Sequence, residues 1–178
     1  IVWIGQLVSS IGGGLTAFTL GVYAYEKTQT ATSFALVTLF SFLPSILLRP
    51  IGGVLADRFD RRVMMIIGDI GSATGVAFIW FLLKYQGNIE LWQIYLGVSI
   101  SSIFLALQSP AYKASITDLL TEEQFAKASG LVQLASSAQY LVSPIVAGFL
   151  LSMTSIENIL ILDILTFIFA ALAVVAIK

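Results

Sequence analysis

Neither cysteine nor histidine occurs among the 178 residues. The first absence excludes disulfides, thiol catalysis and thiolate metal sites. The second removes Ser–His nucleophilic chemistry, imidazole metal ligation and histidine proton relays together. Neither a metal nor a cofactor is therefore expected. Charge is scarce too: 11% of the residues are Asp, Glu, Lys or Arg, against 58% hydrophobic, and the mean hydropathy is +0.96. The length alone would permit one soluble domain, but such a domain needs far more polar residues to cover its surface. With a net charge of −1 and a pI near 5.2, no basic patch is available for nucleic acid.

What the chain does have is six long apolar stretches. Ile1 to Tyr25 and Thr28 to Leu48 carry no charge, and Arg49 followed by Pro50 marks the second stretch's approach to an interface. Val63 to Leu83 contains only Asp69, Leu91 to Tyr112 and Ala128 to Ile156 contain no charge, and Asn158 to Ile177 contains only Asp163. A bilayer core of about 30 Å needs roughly 20 helical residues, and no alternating pattern of a barrel is present. The pattern predicts an all-α, polytopic bundle of six transmembrane helices spanning 1–178 as one unit. The first stretch is too long for a signal peptide and lacks a basic leader and cleavage site. Opening at Ile1 without an initiator methionine and ending just after an apolar run, the chain reads as part of a longer protein.

The connections are short and polar: Glu26 to Gln29, Asp57 to Arg62, Lys84 to Glu90, a longer Lys113 to Lys127, and Thr154 to Glu157. In the longer one, Thr121 before Glu122 and Glu123 is placed to cap a short interfacial helix. The even-numbered connections and the carboxyl end hold Arg49, Arg58, Arg61, Arg62, Lys113, Lys127 and Lys178, while the odd-numbered ones hold only Lys27 and Lys84. By the positive-inside rule this puts the second and fourth loops and both ends in the cytoplasm.

Inside the spans, Gly12, Gly13, Gly14, Gly68, Gly71, Gly75 and Gly148 suit close helix packing. The alternative for Gly12 to Gly14 is a hinge, since each glycine weakens a helix by about 1 kcal/mol. Asp69 lies roughly 9 Å along its helix from Val63, and Asp163 sits at a similar remove from the end of the sixth span. A carboxylate at such depth costs at least about 2–3 kcal/mol unless it meets water, a partner or a proton. Both are candidates for coupling or for recognising a substrate cation. The alternative for Asp69 is an ion pair with Arg49 or a basic residue of the second loop, whereas no basic partner is in prospect for Asp163. Gln6, Gln108, Gln133, Gln139 and Tyr140 serve either interhelical hydrogen bonds or, with aromatics such as Phe18, Tyr23, Phe40, Trp80 and Phe104, a cavity for a bulky hydrophobic substrate. Glu26 is expected at the interface.

The second loop carries a recognisable pattern. Gly53-Val54-Leu55-Ala56-Asp57-Arg58-Phe59-Asp60-Arg61-Arg62 resembles the motif G-x-L-A-D-R-x-G-R-[KR] found between spans two and three of the major facilitator superfamily. Asp60 replaces the usual second glycine. With YEKT at Tyr25 to Thr28 and LVSPIVAG at Leu141 to Gly148, the chain looks like the bacterial macrolide-efflux and related drug-exporter branch. The resemblance implies the amino-terminal half of a twelve-helix fold, built as two three-helix inverted repeats, in the bacterial cytoplasmic membrane, with a carboxy-terminal half as its partner. It implies no enzyme, but a secondary transporter: an antiporter in which protons drive out a small hydrophobic substrate. The motif, Gly53, Asp57, Arg58, Arg61 and Arg62, is implied to be a latch whose Asp57 meets a helix terminus or arginine of the other half. For the arginines, simple anchoring at the membrane surface is the alternative.

Two family features are altered. The arginine often found in the fourth span falls at Ser101, and the fifth-span GPxxGG reads Ser143-Pro144-Ile145-Val146-Ala147-Gly148, leaving a proline kink and small residues. Competing functions are a siderophore or other metabolite exporter or importer of the same build, and the membrane part of an ATP-driven exporter, although no loop supplies an ATPase contact. An aspartyl enzyme is disfavoured because Asp69 and Asp163 are expected toward opposite faces of the membrane.

Overall fold

The structure, a computed structural model, describes residues 2–119 and 122–176, and side chains outside 116–127. Among these residues the chain forms α1 (Val2–Thr28), α2 (Ala31–Arg58), α3 (Arg61–Gln86), α4 (Leu91–Leu119), α5 (Glu122–Met153) and α6 (Ile156–Val175). All six are long and apolar enough to cross a membrane, so the all-α, six-span expectation holds. Uncharged runs of this length become helices because only a helix satisfies its own backbone in hydrocarbon.

The helix ends refine the expected boundaries. Arg49 and Pro50 do not end the second helix, which continues to Arg58 over 28 residues. That is a rod of about 42 Å, longer than roughly 30 Å of hydrocarbon, so its last turns can be polar while remaining helical. Only Phe59 and Asp60 lie outside helix before α3 begins, a tighter corner than the Asp57 to Arg62 hairpin. Phe59 N closes α2 on Leu55 O at 2.9 Å. At the far end of α3, Gly87 takes φ +69 and donates to Leu83 O at 3.0 Å, a left-handed stop that glycine adopts without strain. The Thr121 cap and Lys178 lie outside the described residues, and the Lys127 side chain outside the described side chains.

α1 packs against α2, α5 and α6; α3 against α4 and α6; and α2 against α4. Exchanging α1–α3 for α4–α6 maps these pairings onto one another. The α2–α4 pair becomes α5–α1, α3–α4 becomes α6–α1, and α3–α6 returns to itself. Only α1–α2 lacks a counterpart of similar weight. Paired seams of this kind are what two three-helix repeats produce.

Small residues make the seams. Gly68, Gly71 and Gly75 of α3 receive Gln108, Phe104 and Ser101 of α4; Gly5 and Gly12 of α1 receive Ala170 and Thr166 of α6; Gly52 of α2 meets the Ala106 carbonyl of α4. Lipid offers no hydrophobic drive between helices, so such close approaches and the dispersion they gain hold the bundle together. Pro44 breaks the ladder of α2, and the next amide, Ser45 N, donates across to Ser102 Oγ at 3.0 Å. α2 and α5 also expose large apolar side chains, among them Leu47, Ile51, Leu141 and Ile145.

Candidate functional site

At the corner between α2 and α3, each charged residue of the motif has a distinct place. Asp60, the departure from the usual glycine, is the N-cap of α3: its Oδ1 accepts from Arg62 N at 2.8 Å and Val63 N at 3.1 Å. Arg61 Nη1 donates to Ala114 O near the end of α4 at 2.8 Å, and Arg62 Nη2 donates to Val175 O, the last residue of α6. Both cations therefore sit on carbonyl ends of helices, where the backbone dipoles favour positive charge. Asp57 and Arg58 are exposed and form no hydrogen bond or ion pair among the described residues. Gly53 has open space around it; its neighbour Gly52 is the buried, tightly packed glycine.

Deeper in the bundle, α1, α3 and α4 meet at a buried polar group. Gln6 Nε2 donates to Asp69 Oδ2 at 3.2 Å, and Gln108 Nε2 to Asp69 Oδ1 at 3.3 Å. The two amides also bond to each other, Gln108 Nε2 to Gln6 Oε1. Gly68, beside Asp69, leaves the space that Gln108 occupies. The ion pair weighed for Asp69 is not formed. Its partners are amides: Arg61 and Arg62 are engaged at helix ends, and Arg49 and Arg58 are exposed on α2.

Asp163 is fully buried at the α1–α6 seam. Thr166 Oγ1 donates to its Oδ1 at 3.2 Å. Gly12 makes room for it: a Cβ there would stand 2.6 Å from Asp163 Oδ1. Asp163 Oδ2 and Thr16 Oγ1 are each buried without a hydrogen-bond partner among the described residues.

A cavity of about 320 Å³ opens on Gln6, Gly13, Thr16, Gln108, Gln139 and Asp163, with Arg49 and Lys113 also on its wall. Its aromatics are Phe42, Tyr112, Tyr140 and Phe167, and Phe42 of α2 meets Tyr140 of α5 with ring centroids 5.7 Å apart. Amides, hydroxyls and ring faces around one space suit a large, mostly apolar molecule with a few polar groups.

Gln6, Gln108, Gln139, Tyr140 and Asp163 are thus brought together, with Asp69 bonded to two of them. Gln133 is not: it is exposed, because the cavity face of α5 runs through Val132, Ala135, Ser136 and Gln139, and position 133 is turned about 100° away. The expected aromatics lie elsewhere. Phe40 stacks on Tyr95, Phe104 packs on Gly71, Trp80 lies under Lys84, and Phe18 and Tyr23 border a second cleft with Glu26 and Glu157. Gly12 and Gly14 pack on α6 and α5 while Gly13 faces the cavity, and α1 stays helical throughout. Pro144 lies within an unbroken α5, where Ser143 Oγ donates to Ile11 O at 3.0 Å; Gly148 is exposed and packs against nothing within 4 Å. Ser101 is buried on the cavity wall with no cation in its place. Nothing in the sequence pattern marked Thr16, although its spacing of four from Gly12 puts it on the same helix face.

Residues 2–178 match the Major Facilitator Superfamily. Macrolide efflux protein A of Streptococcus pyogenes is 32% identical over 177 residues, covering 99% of this chain and 44% of the relative. A macrolide efflux protein A of Enterococcus faecalis is 32% identical over 142 residues, 80% of this chain and 44% of the relative. Multidrug resistance protein 1 of Bacillus subtilis is 24% identical over 143 residues, 80% of this chain and 35% of the relative. The chain therefore spans less than half the length of these relatives.

Proposed function

This chain belongs to the Major Facilitator Superfamily, and we propose that it forms the amino-terminal half of a twelve-helix exporter of hydrophobic drugs such as macrolides. The cargo is carried out by alternating access, with protons as the coupling ion. The complete transporter sits in the bacterial cytoplasmic membrane, and both ends of this segment face the cytoplasm. The observation that carries this reading is the cavity bounded by Gln6, Gln108, Gln139 and Tyr140. Its mixture of amides and rings suits a macrolide, and the efflux named in two of the relatives fits it. A carboxy-terminal half closing over the exposed apolar faces of α2 and α5 would complete the enclosure.

The motif corner supports a latch. Arg61 and Arg62 hold the corner to α4 and α6, leaving the exposed Asp57 free for a helix terminus or arginine of the other half. A carboxylate at such a terminus gains about 0.3–1 kcal/mol, weak enough to break once per cycle.

The test is a drug-susceptibility panel on cells producing the complete protein, with and without a protonophore at intact ATP, repeated with Asp57→Asn. Macrolide tolerance that collapses with the proton gradient, and that falls in D57N at equal protein level, is the expected result. Tolerance that survives the protonophore would refute proton coupling. A panel without a macrolide response would favour a metabolite or siderophore transporter of the same build.

A further inference from the structure

Asp69-Ile70-Gly71-Ser72 on α3 and Asp163-Ile164-Leu165-Thr166 on α6 repeat one short pattern. These are the two helices that trade places when the first three helices are exchanged for the last three. Both carboxylates are fully buried, yet their surroundings have diverged. Each oxygen of Asp69 accepts from an amide, Oδ2 from Gln6 and Oδ1 from Gln108, and Asp69 is not on the cavity wall. Asp163 is on that wall, with one hydroxyl on Oδ1 and, among the described residues, no donor on Oδ2.

The Thr16 hydroxyl stands beside the Asp163 carboxyl without closing a hydrogen bond to it. Both orphaned oxygens belong to residues on one cavity wall, Thr16 lying one turn from Gly12 on the α1 face that meets Asp163. A proton added to Asp163 Oδ2 would supply the missing donor and Thr16 Oγ1 the acceptor. Buried polar atoms left unpaired are costly, and buried charge without a partner more so.

The other charged and titratable groups are few. From α1, Gly12 and Thr16 face Asp163 and neither titrates. From α3, Asp69 is the titratable group within the span, and its oxygens are taken. Around the cavity stand Arg49 of α2, Tyr112 and Lys113 of α4 and Tyr140 of α5, and none of these is an ion-pair partner of Asp163 among the described residues.

We propose that Asp163 is the residue that binds and releases the coupling proton, with Thr16 as its hydroxyl partner, and that Asp69 is a fixed cross-tie that carries no transported proton. The proton passes from hydronium in the cavity to Oδ2, the carboxyl O–H forming as the hydronium O–H breaks, and returns to water from the same oxygen. Gly12 is the residue that keeps the site open, since a side chain there would meet Asp163 Oδ1 and Thr166. The assignment of a role in coupling rests on the export reading above, whereas the protonation itself does not.

Two measurements on the complete protein test it. In purified protein in bilayers, infrared titration reads buried protonated carboxyl groups directly. A carboxyl band that titrates in the wild type should vanish in Asp163→Asn, persist in Asp69→Asn, and shift in Thr16→Val, which keeps the carboxyl but removes its partner. A band that survives in D163N overturns the proposal. In vesicles under an imposed pH gradient, D163N should lose gradient-driven accumulation of labelled macrolide and keep exchange of labelled for unlabelled macrolide without a gradient. A purely structural role would abolish both, and gradient-driven accumulation surviving in D163N would equally sink the assignment. If the wild type accumulates no macrolide, the export reading fails, while the infrared titration still decides where the proton sits.

Discussion

Replacing Gly52 or Gly53 by alanine makes one chemical change in two different surroundings. Both positions lie inside α2, so each variant gains about 1 kcal/mol of helix propensity. At position 53 the new methyl meets nothing within 4 Å. At position 52 it runs into the Ala106 carbonyl of α4, with the Pro110 ring next nearest among side chains. That carbonyl is backbone inside a helix and cannot swing away as a flexible side chain would. The α2–α4 seam must open, at the price of about 1–3 kcal/mol for overpacking. The propensity gain cancels in the difference between the variants. G52A should therefore be about 1–3 kcal/mol less stable than G53A, or roughly 2–12 °C in Tm on the scale for domains of this size. Thermal unfolding in one detergent, followed by the emission of the three tryptophans, measures this. If G52A unfolds at or above the temperature of G53A, the close α2–α4 approach is wrong.

Asp60→Ala should cost about 0.5–2 kcal/mol by removing the cap of α3, while Asp60→Gly should cost only a few tenths; equal unfolding midpoints for the alanine variant and the wild type would dismiss the cap. Gln108→Leu leaves Asp69 Oδ1 and Gln6 Oε1 without their donor, for an expected loss of about 1–3 kcal/mol, read in the same unfolding assay. An unchanged midpoint there would mean that the amide pair holds nothing together.

The spans were legible because charge is nearly absent from them and concentrated between them. The second loop was legible in its letters but not in its extent: Phe59 and Asp60 alone leave the helix, since Asp60 begins α3 with its own side chain. Which face of each helix turns inward was the weakest reading, and Gln133 shows why. In water a helix announces its buried face by an apolar stripe. In lipid both faces are apolar, so Val132 and Leu134 surround Gln133 with no sign of which side meets the cavity. Phe40 and Phe42 differ in the same way, one stacked in a seam on Tyr95 and the other on the cavity wall. Small residues were the better guide, because Gly68, Gly71 and Gly75 sit where α4 comes closest. Even there the motif pointed to Gly53, while the packing falls on Gly52.

Under the proposed alternating access each half would move as a body, and the bracing of this bundle suits that. At the motif corner, Arg61 and Arg62 tie the start of α3 to the ends of α4 and α6. At the opposite end, Lys27 bridges to Asn88 at 2.9 Å, to the Ile89 carbonyl and to Glu90 at 3.8 Å, joining the end of α1 to the turn before α4. The Lys27–Glu90 pair alone, exposed as Glu90 is, would be worth at most about 1 kcal/mol, but the accompanying hydrogen bonds fix its geometry. Between these ends, the α3–α4 and α1–α6 seams close on glycine and cannot slide without steric penalty. The groups left out of the bracing are Asp57, Arg58 and the apolar faces of α2 and α5. Those are the surfaces along which a second half could separate without disturbing the packing behind them.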